Sequence, residues 1–350
     1  MSGSSATRPL ELTDPFRIGD VEIANRVLLA PLAGIGNWFV RSQARRHGAG
    51  LAVSEMVSSH AIHHRNERTM RELLVIRPDE HPVSIQLFGS DPDVMRGAAE
   101  VVTAAGADIV DLNMGCPVKK VRKTGAGAEL ISDPDLAVAV AAGAVEGAGG
   151  RPVTVKIRSG LVAGDTSGVE VGRRLVEEAG VAAVALHPRP AAVGHKGKPD
   201  YSLVGRLKEL VDVPVIVSGG LCDADRARDA FERSGADAVM IARGSFGYPW
   251  IFEELTGVRT EPPTREEIAS ELLWVMNRAE EHFGERACRY LRKFYPWYLE
   301  RLGATKGQTH AFQRVETLAE ARIMVRDLLA VDGGVEEKRR EPALAGRGRP

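Results

Sequence analysis

Residues 83–112 read VSIQLFGSDPDVMRGAAEVVTAAGADIVDL. Val83–Phe88 is a short apolar run closed by Gly89-Ser90-Asp91-Pro92. A stretch rich in Ala, Val and Glu follows, long enough for a helix, and then a second apolar run, Asp108–Leu112. Continuous runs joined by a helix-length crossover are the pattern of parallel strands covered on both faces. The same beat recurs at Arg26–Pro31 (RVLLAP), Leu51–Ser54 (LAVS), Val153–Ile157 (VTVKI), Ala182–Leu186 (AAVAL), Pro214–Val217 (PVIV) and Asp237–Ile241 (DAVMI). Eight strand–helix units in roughly 240 residues predict an α/β fold of the TIM (β/α)8 type. A doubly wound open sheet is the alternative. It usually carries G-x-G-x-x-G after its first strand, whereas here the first run is followed by Leu32-Ala33-Gly34-Ile35-Gly36.

The segments outside this beat divide the chain. Residues 1–15 read as a flexible N-terminal arm. Phe16 to Pro31 (FRIGDVEIANRVLLAP) reads as a short hairpin feeding the first buried strand, and the barrel is expected over 16–260. At Glu261–Thr264 (EPPT) the strand signal stops. Residues 261–331 are expected to form an all-helical C-terminal domain, opened by Thr264 and Glu267 at capping-box spacing. The tail, 332–350, is charged and rich in Gly and Pro, a composition that favours disorder.

Composition narrows the function. Of 350 residues, 46 are Lys or Arg and 47 Asp or Glu, so any polyanion-binding surface must come from local clustering. Three widely spaced cysteines, Cys116, Cys222 and Cys288, make neither a disulfide framework nor a zinc pair, and no metal site is expected. No secretory signal and no apolar run of about 18 residues is present. A reducing, cytoplasmic setting is the expectation.

In a barrel of this type the chemistry gathers where strands end. Those ends carry Pro31-Leu32-Ala33, Gln86, Asn113 with Cys116, Lys156 with Arg158, His187 with Arg189, Ser218-Gly219-Gly220, and Ala242-Arg243. The last two loops are where this fold usually grips phosphate. Glycines let backbone N–H groups approach an anion, and Arg243 adds a fixed charge; the plainer reading is that the glycines only make tight turns. Lys156 lies within a strand. Facing inward it needs an anionic or polar partner, such as a reduced or partly anionic ring; facing outward it snorkels to water. Gln86 offers a carbonyl and an amide to a heterocycle edge, or to a polar core network. Cys116, between Gly115 and Pro117, is either a small core residue or a proton donor and nucleophile at the rim.

Asp111-Leu112-Asn113-Met114-Gly115-Cys116-Pro117, followed by Lys119-Lys120-Val121, resembles the signature of tRNA-dihydrouridine synthases, most closely the bacterial B-type branch. The resemblance extends over Phe16 to about Leu329. It takes in Arg26–Gly34, Ser54-Glu55-Met56, Val155–Arg158, His187-x-Arg189, Gly247-x-Pro249-Trp250, and Lys293 with Trp297-Tyr298. It implies a barrel holding FMN, reduced by NADPH, and a helical domain that helps grip tRNA. Hydride would pass from the flavin to C6 of a uracil, and Cys116 would protonate C5. FMN would be held by Pro31, Leu32, Ala33, Gln86, Lys156, His187, Ser218, Gly219, Gly220, Ala242 and Arg243. Substrate contacts would fall to Asn113, Arg158, Arg189, Lys119, Lys120, Arg289 and Lys293, with no membrane and no obligate protein partner. The sequence departs from the family pattern at Ser218-Gly219-Gly220, where Asn-Gly-Asp is frequent. It departs again at His187-Pro188-Arg189-Pro190-Ala191, where His-Gly-Arg-Thr-Arg is frequent. Ala242 replaces a usual glycine and Phe294 a common histidine.

Two basic clusters are candidates for a phosphate backbone. One is Lys119, Lys120, Arg122 and Lys123. The other is Glu285–Arg314, with seven Lys or Arg against two acids. Four aromatic residues that accompany it, Phe294, Tyr295, Trp297 and Tyr298, suit core packing better than base stacking. A flavin reductase of a small molecule and a tRNA-binding protein with lapsed catalysis are the other readings. The basic helical extension argues against the first, and Cys116, Lys156 and His187 against the second.

Overall fold

The computed structural model describes residues 8–330; the first seven residues of the expected arm, and the tail, lie outside the described residues. The chain divides into two compact units at Pro263 and Thr264.

In the first unit eight parallel strands close a ring: β1 (Val27–Leu29), β2 (Leu51–Val53), β3 (Val83–Phe88), β4 (Ile109–Met114), β5 (Val153–Arg158), β6 (Ala183–His187), β7 (Val215–Ser218) and β8 (Ala238–Ile241). β8 pairs with β1, and β2 pairs with both β1 and β3, so the sheet has no free edge and the open-sheet alternative is excluded. A two-residue strand, Val57–Ser58, continues the β2 direction and pairs with Leu87 and Phe88 at the far end of β3. Helices follow the strands, and two of the longest start alike. Asp91 and Asp133 each accept a backbone N–H, from Val94 at 3.0 Å and from Leu136 at 3.1 Å, and each precedes a proline in the first turn. The aspartate meets an orphan donor and the proline fixes φ where no N–H is needed.

The expected hairpin forms from Phe16–Ile18 and Val21–Ile23. Ile18 and Ile23 pack with Leu28, Leu51, Val53, Ile109, Ala183, Ile216, Ala238 and Met240, so the hairpin closes one end of the barrel with apolar side chains. The ordered chain reaches further towards the N-terminus. Leu12 is buried, and its carbonyl accepts from the Arg26 N–H at 2.8 Å.

The second unit is helical in its described residues: Arg265–Phe283, Ala287–Leu291, Tyr295–Arg301, Lys306–Arg314 and Leu318–Ala330. The capping box forms. The Thr264 hydroxyl accepts from the Glu267 N–H at 3.2 Å, and the Glu267 carboxylate from the Thr264 N–H at 2.7 Å. Phe294, Tyr295 and Tyr298 are buried, so three of the four aromatic residues between Phe294 and Tyr298 are core. Among the described residues no helix is long and apolar enough to cross a membrane.

Candidate active site

Alternation along each strand decides what the barrel interior contains. Ile109, Ala183 and Ala238 belong to the apolar plug, so residues two and four further on point the same way at higher levels. The register sets Gln86 opposite Asp111, Asn113 opposite Lys156, Lys156 opposite Ala185, and Arg158 opposite His187. An apolar lower barrel thus gives way to a polar layer, and that layer opens into a cavity of ≈ 240 Å³.

Asp111 is the buried base of the polar layer. Its carboxylate accepts from the Thr154 hydroxyl at 2.6 Å and from the Gln86 amide at 2.6 Å. Burial pushes the carboxyl up to about 6, against those two hydrogen bonds and the charge of Lys156. Gln86 turns its carbonyl to the Asn113 amide at 2.9 Å. Asn113 in turn accepts from the backbone N–H of Cys116 at 2.9 Å and of Gly115 at 3.2 Å. The Cys116 loop is pinned from the other side by Gly127, whose φ is +65° and where a Cβ would fall 2.9 Å from the Cys116 carbonyl oxygen. The thiol is partly exposed and lines the cavity.

The charged lining is cationic. Lys156, Arg158 and Arg243 line the cavity with His187 and His195, and no carboxylate joins them. Burial, then the neighbouring Arg158, pushes the Lys156 ammonium down to about 8. Burial and Arg189 push Arg158 down to about 10. Burial, with Arg158, Lys156 and Arg189 around it, lowers His187 well below the usual imidazole range. His195 is pushed down to about 4, by burial first and Arg243 next. Both imidazoles are therefore neutral at pH 7, and they stack with centroids 6.0 Å apart. Arg189 has only donors, so His187 accepts from it through Nε2 at 3.3 Å and carries its ring proton on Nδ1.

Two arginines hold loops together. Arg158 donates to the Gly115 carbonyl at 2.9 Å and to the Gly194 carbonyl at 2.9 Å, joining the Cys116 loop to the His195 loop. Arg189 donates to the Gly197 carbonyl at 3.1 and 2.8 Å. At the seventh strand, Gly219 (φ +90°) lies against His187. An added Cβ would stand 2.2 Å from the imidazole Cδ2, so only glycine fits. Beside it the Ser218 hydroxyl is buried without a partner. An orphaned hydroxyl, a wall stripped of Cβ and an all-cationic lining suit an anionic ligand carrying hydrogen-bonding oxygens, such as a flavin with its phosphate.

The cavity gathers most of the residues singled out from the sequence: Pro31, Ala33, Gln86, Asn113, Cys116, Lys156, Arg158, His187, Ser218, Gly219, Gly220, Ala242 and Arg243. It does not gather the others. Leu32 is buried in the rim loop, and Arg189 is engaged with Gly197 and His187. Lys119 and Lys120 are exposed on the one-turn helix Lys119–Arg122. Arg289 and Lys293 are exposed in the second unit, with the Lys293 ammonium 4.6 Å from the Tyr290 ring centroid. The lining also includes Met56, His195 and Cys222, to which the sequence reading assigned no chemistry. Among the described residues no group of His, Cys, Asp and Glu is arranged to hold a metal.

The chain matches the family model described as Dihydrouridine synthase (Dus) over residues 28–331. It is 36% identical over 320 residues to tRNA-dihydrouridine synthase B of Pseudomonas aeruginosa, covering 90% of this chain and 96% of that one. It is 37% identical over 333 residues to a probable tRNA-dihydrouridine synthase of Mycobacterium tuberculosis, covering 90% and 85%. Among solved structures, morphinone reductase in complex with tetrahydroNAD aligns with a TM-score of 0.51 at 16% identity, over 74% of this chain and 94% of that one. A 2-naphthoyl-CoA reductase complex aligns with a TM-score of 0.55 at 14% identity, over 71% and 52%. At these identities the structural likeness is one of fold.

Proposed function

The chain belongs to the dihydrouridine synthase family, and from that premise we propose that it reduces uridines of tRNA to 5,6-dihydrouridine, with FMN as resident cofactor and NADPH as reductant. The observation that carries the reading is the Cys116 loop, fixed by Asn113 at the mouth of a cavity whose charged lining is wholly cationic.

Pro31 to Ala33, Gln86, Lys156, His187, Ser218 to Gly220, Ala242 and Arg243 would hold the flavin. When bound, it supplies the hydride that C6 of the uracil needs. The chain's own residues do the rest. Lys156 and Arg243 offset negative charge in a site screened from bulk water. Neutral His187, with its Nδ1 proton, offers one directional donor and no added positive charge. Cys116 holds the proton that C5 receives, and it needs a fixed reach because the two additions fall on adjacent carbons. Arg158 keeps the Cys116 loop in register with the His195 loop.

A uracil inside a folded tRNA must leave its stack to enter such a cavity. Charge along the tRNA backbone would then be met by exposed cations. Lys119 and Lys120 follow the Cys116 loop directly, and Arg289 and Lys293 stand exposed on the helical unit. That unit, expected over 261–331 and compact from Thr264 on, is read as a tRNA-binding domain. Arg158 and Arg189 brace the loops around the cavity, and Arg158 also lines it. Cys116→Ala tests the assignment. Bound flavin should persist while dihydrouridine formation falls by about 10²-fold or more, the usual worth of a positioned acid. Unchanged turnover would remove the thiol from the reaction.

A further inference from the structure

Four hydrogen bonds join the buried acid to the Cys116 loop, and their direction is set at both ends. A carboxylate only accepts, so Gln86 must present its NH2 group to Asp111. The Gln86 carbonyl is then left for the Asn113 NH2 group. The Asn113 carbonyl is left in turn for the N–H groups of Cys116 and Gly115, which only donate. Thr154 supplies the remaining donor to Asp111. Two amides, each able to point either way, are thereby locked into one orientation.

We propose that Asp111 is a positioning residue for the proton donor, setting the polarity of the Gln86–Asn113 chain that fixes the Cys116 loop. Asp111 is 1% exposed and is not among the residues that line the cavity, so it acts on Cys116 only through others. The inference rests on the reading of Cys116 as the acid. If the Gln86 and Asn113 amides lacked a single preferred orientation, the loop would lose its anchor at Asn113 Oδ1. In a buried network an unpaired amide is costly enough to favour rearrangement.

An exchange of acid and amide along the chain tests this without changing side-chain size. Asp111→Asn puts a group that can donate as well as accept where only an acceptor stood, so position 111 no longer fixes which way the Gln86 amide points. Gln86→Glu sets two carboxylates face to face, and no proton-free arrangement satisfies both. Joining the two changes restores the order. The amide introduced at position 111 then donates to the carboxylate introduced at position 86, which still accepts from Asn113. Two readouts are taken on the flavin-loaded protein: kcat per bound flavin for tRNA lacking dihydrouridine, and the rate of Cys116 alkylation by N-ethylmaleimide, followed by peptide mass spectrometry.

D111N should lose about threefold to tenfold in kcat and change its alkylation rate, the Cys116 and Gly115 N–H groups still biasing the chain from the other end. Q86E should lose about tenfold or more in kcat and change its alkylation rate relative to the parent at pH 8.5, and recover towards the parent at lower pH, where the two facing carboxyls share a proton. The double variant should recover most of both. Gln86 is absent from both Q86E and the double variant, so their difference reports the chain and not a flavin contact. A double variant no better than Q86E at pH 8.5, or a D111N variant indistinguishable from the parent on both readouts, would overturn the proposal. A parent protein that leaves tRNA unreduced would count against the proposed function, while the alkylation rates would still decide whether the chain fixes the loop.

Discussion

Lys156→Met should make the flavin-free protein more stable while weakening its hold on flavin. The Lys156 ammonium is flanked in the sheet by Asn113 and Ala185, and burial with Arg158 takes it from the usual 10.5 to about 8. A displacement of that size is worth about 3 kcal/mol against the charged form; partial opening to solvent reduces the realised cost to about 1–2 kcal/mol. Methionine keeps the length and drops the charge. The variant loses the favourable interaction of the ammonium with Asp111, the larger of its two attractive neighbours, the other being Cys116, but a carboxyl already raised to about 6 takes up a proton at small cost near neutrality. The net gain should appear as a rise in Tm of about 2–6 °C at pH 7. The pH dependence has a definite sign. The folded-state value lies below the unfolded one, so the penalty is full below about 8 and fades as pH rises towards 10.5. The advantage of the variant should therefore shrink between pH 7 and pH 9.5. Thermal unfolding of flavin-free parent and variant at both pH values is the assay, with flavin retention as companion. A lower Tm for the variant at pH 7, or an advantage unchanged at pH 9.5, would refute the account of Lys156 as a charge held ready for an anion.

Two further outcomes follow from the geometry. Gly219→Ala places a methyl against the His187 ring at a backbone angle that disfavours side chains; stability should fall by about 1–3 kcal/mol and flavin be lost, both visible in flavin absorbance during thermal unfolding. Arg289→Glu with Lys293→Glu should weaken tRNA binding and lower the slope of log affinity against log salt by about 2, leaving flavin reduction by NADPH unaltered; an unchanged slope would remove this cluster from the docking surface.

Much of the barrel is legible in the chain because parallel strands buried on both faces leave continuous apolar runs. Val83–Phe88 is read to the residue, and the seven other strands fall on or within a few residues of their runs. Strand ends are less legible. The Ile109–Met114 strand extends past Leu112 through Asn113, a polar residue held by its place in the hydrogen-bond chain rather than by burial of apolar surface. The floor of the site depends on register, which no local pattern fixes. Gln86 and Asp111 are 25 residues apart, and Asp111 with Thr154 43 apart, so their contact exists only once β3, β4 and β5 pair in register. His195 and Cys222 reach the cavity from loops shaped by Arg158 and by the turn at Gly219-Gly220, and neither carries a local sequence mark. Arg189 reads as a ligand contact from its place after the sixth strand, yet its guanidinium is engaged with its own loop. Directional side chains near a site brace it as often as they face it.

The most direct test of the central claim is nucleoside mass spectrometry of tRNA lacking dihydrouridine after incubation with the flavin-loaded protein and NADPH. The account predicts a uridine heavier by about two mass units, the sum of one hydride and one proton, appearing with the wild-type chain and falling sharply with Cys116→Ala. A flavin that is bound and reduced by NADPH, with no uridine gaining mass, would contradict it.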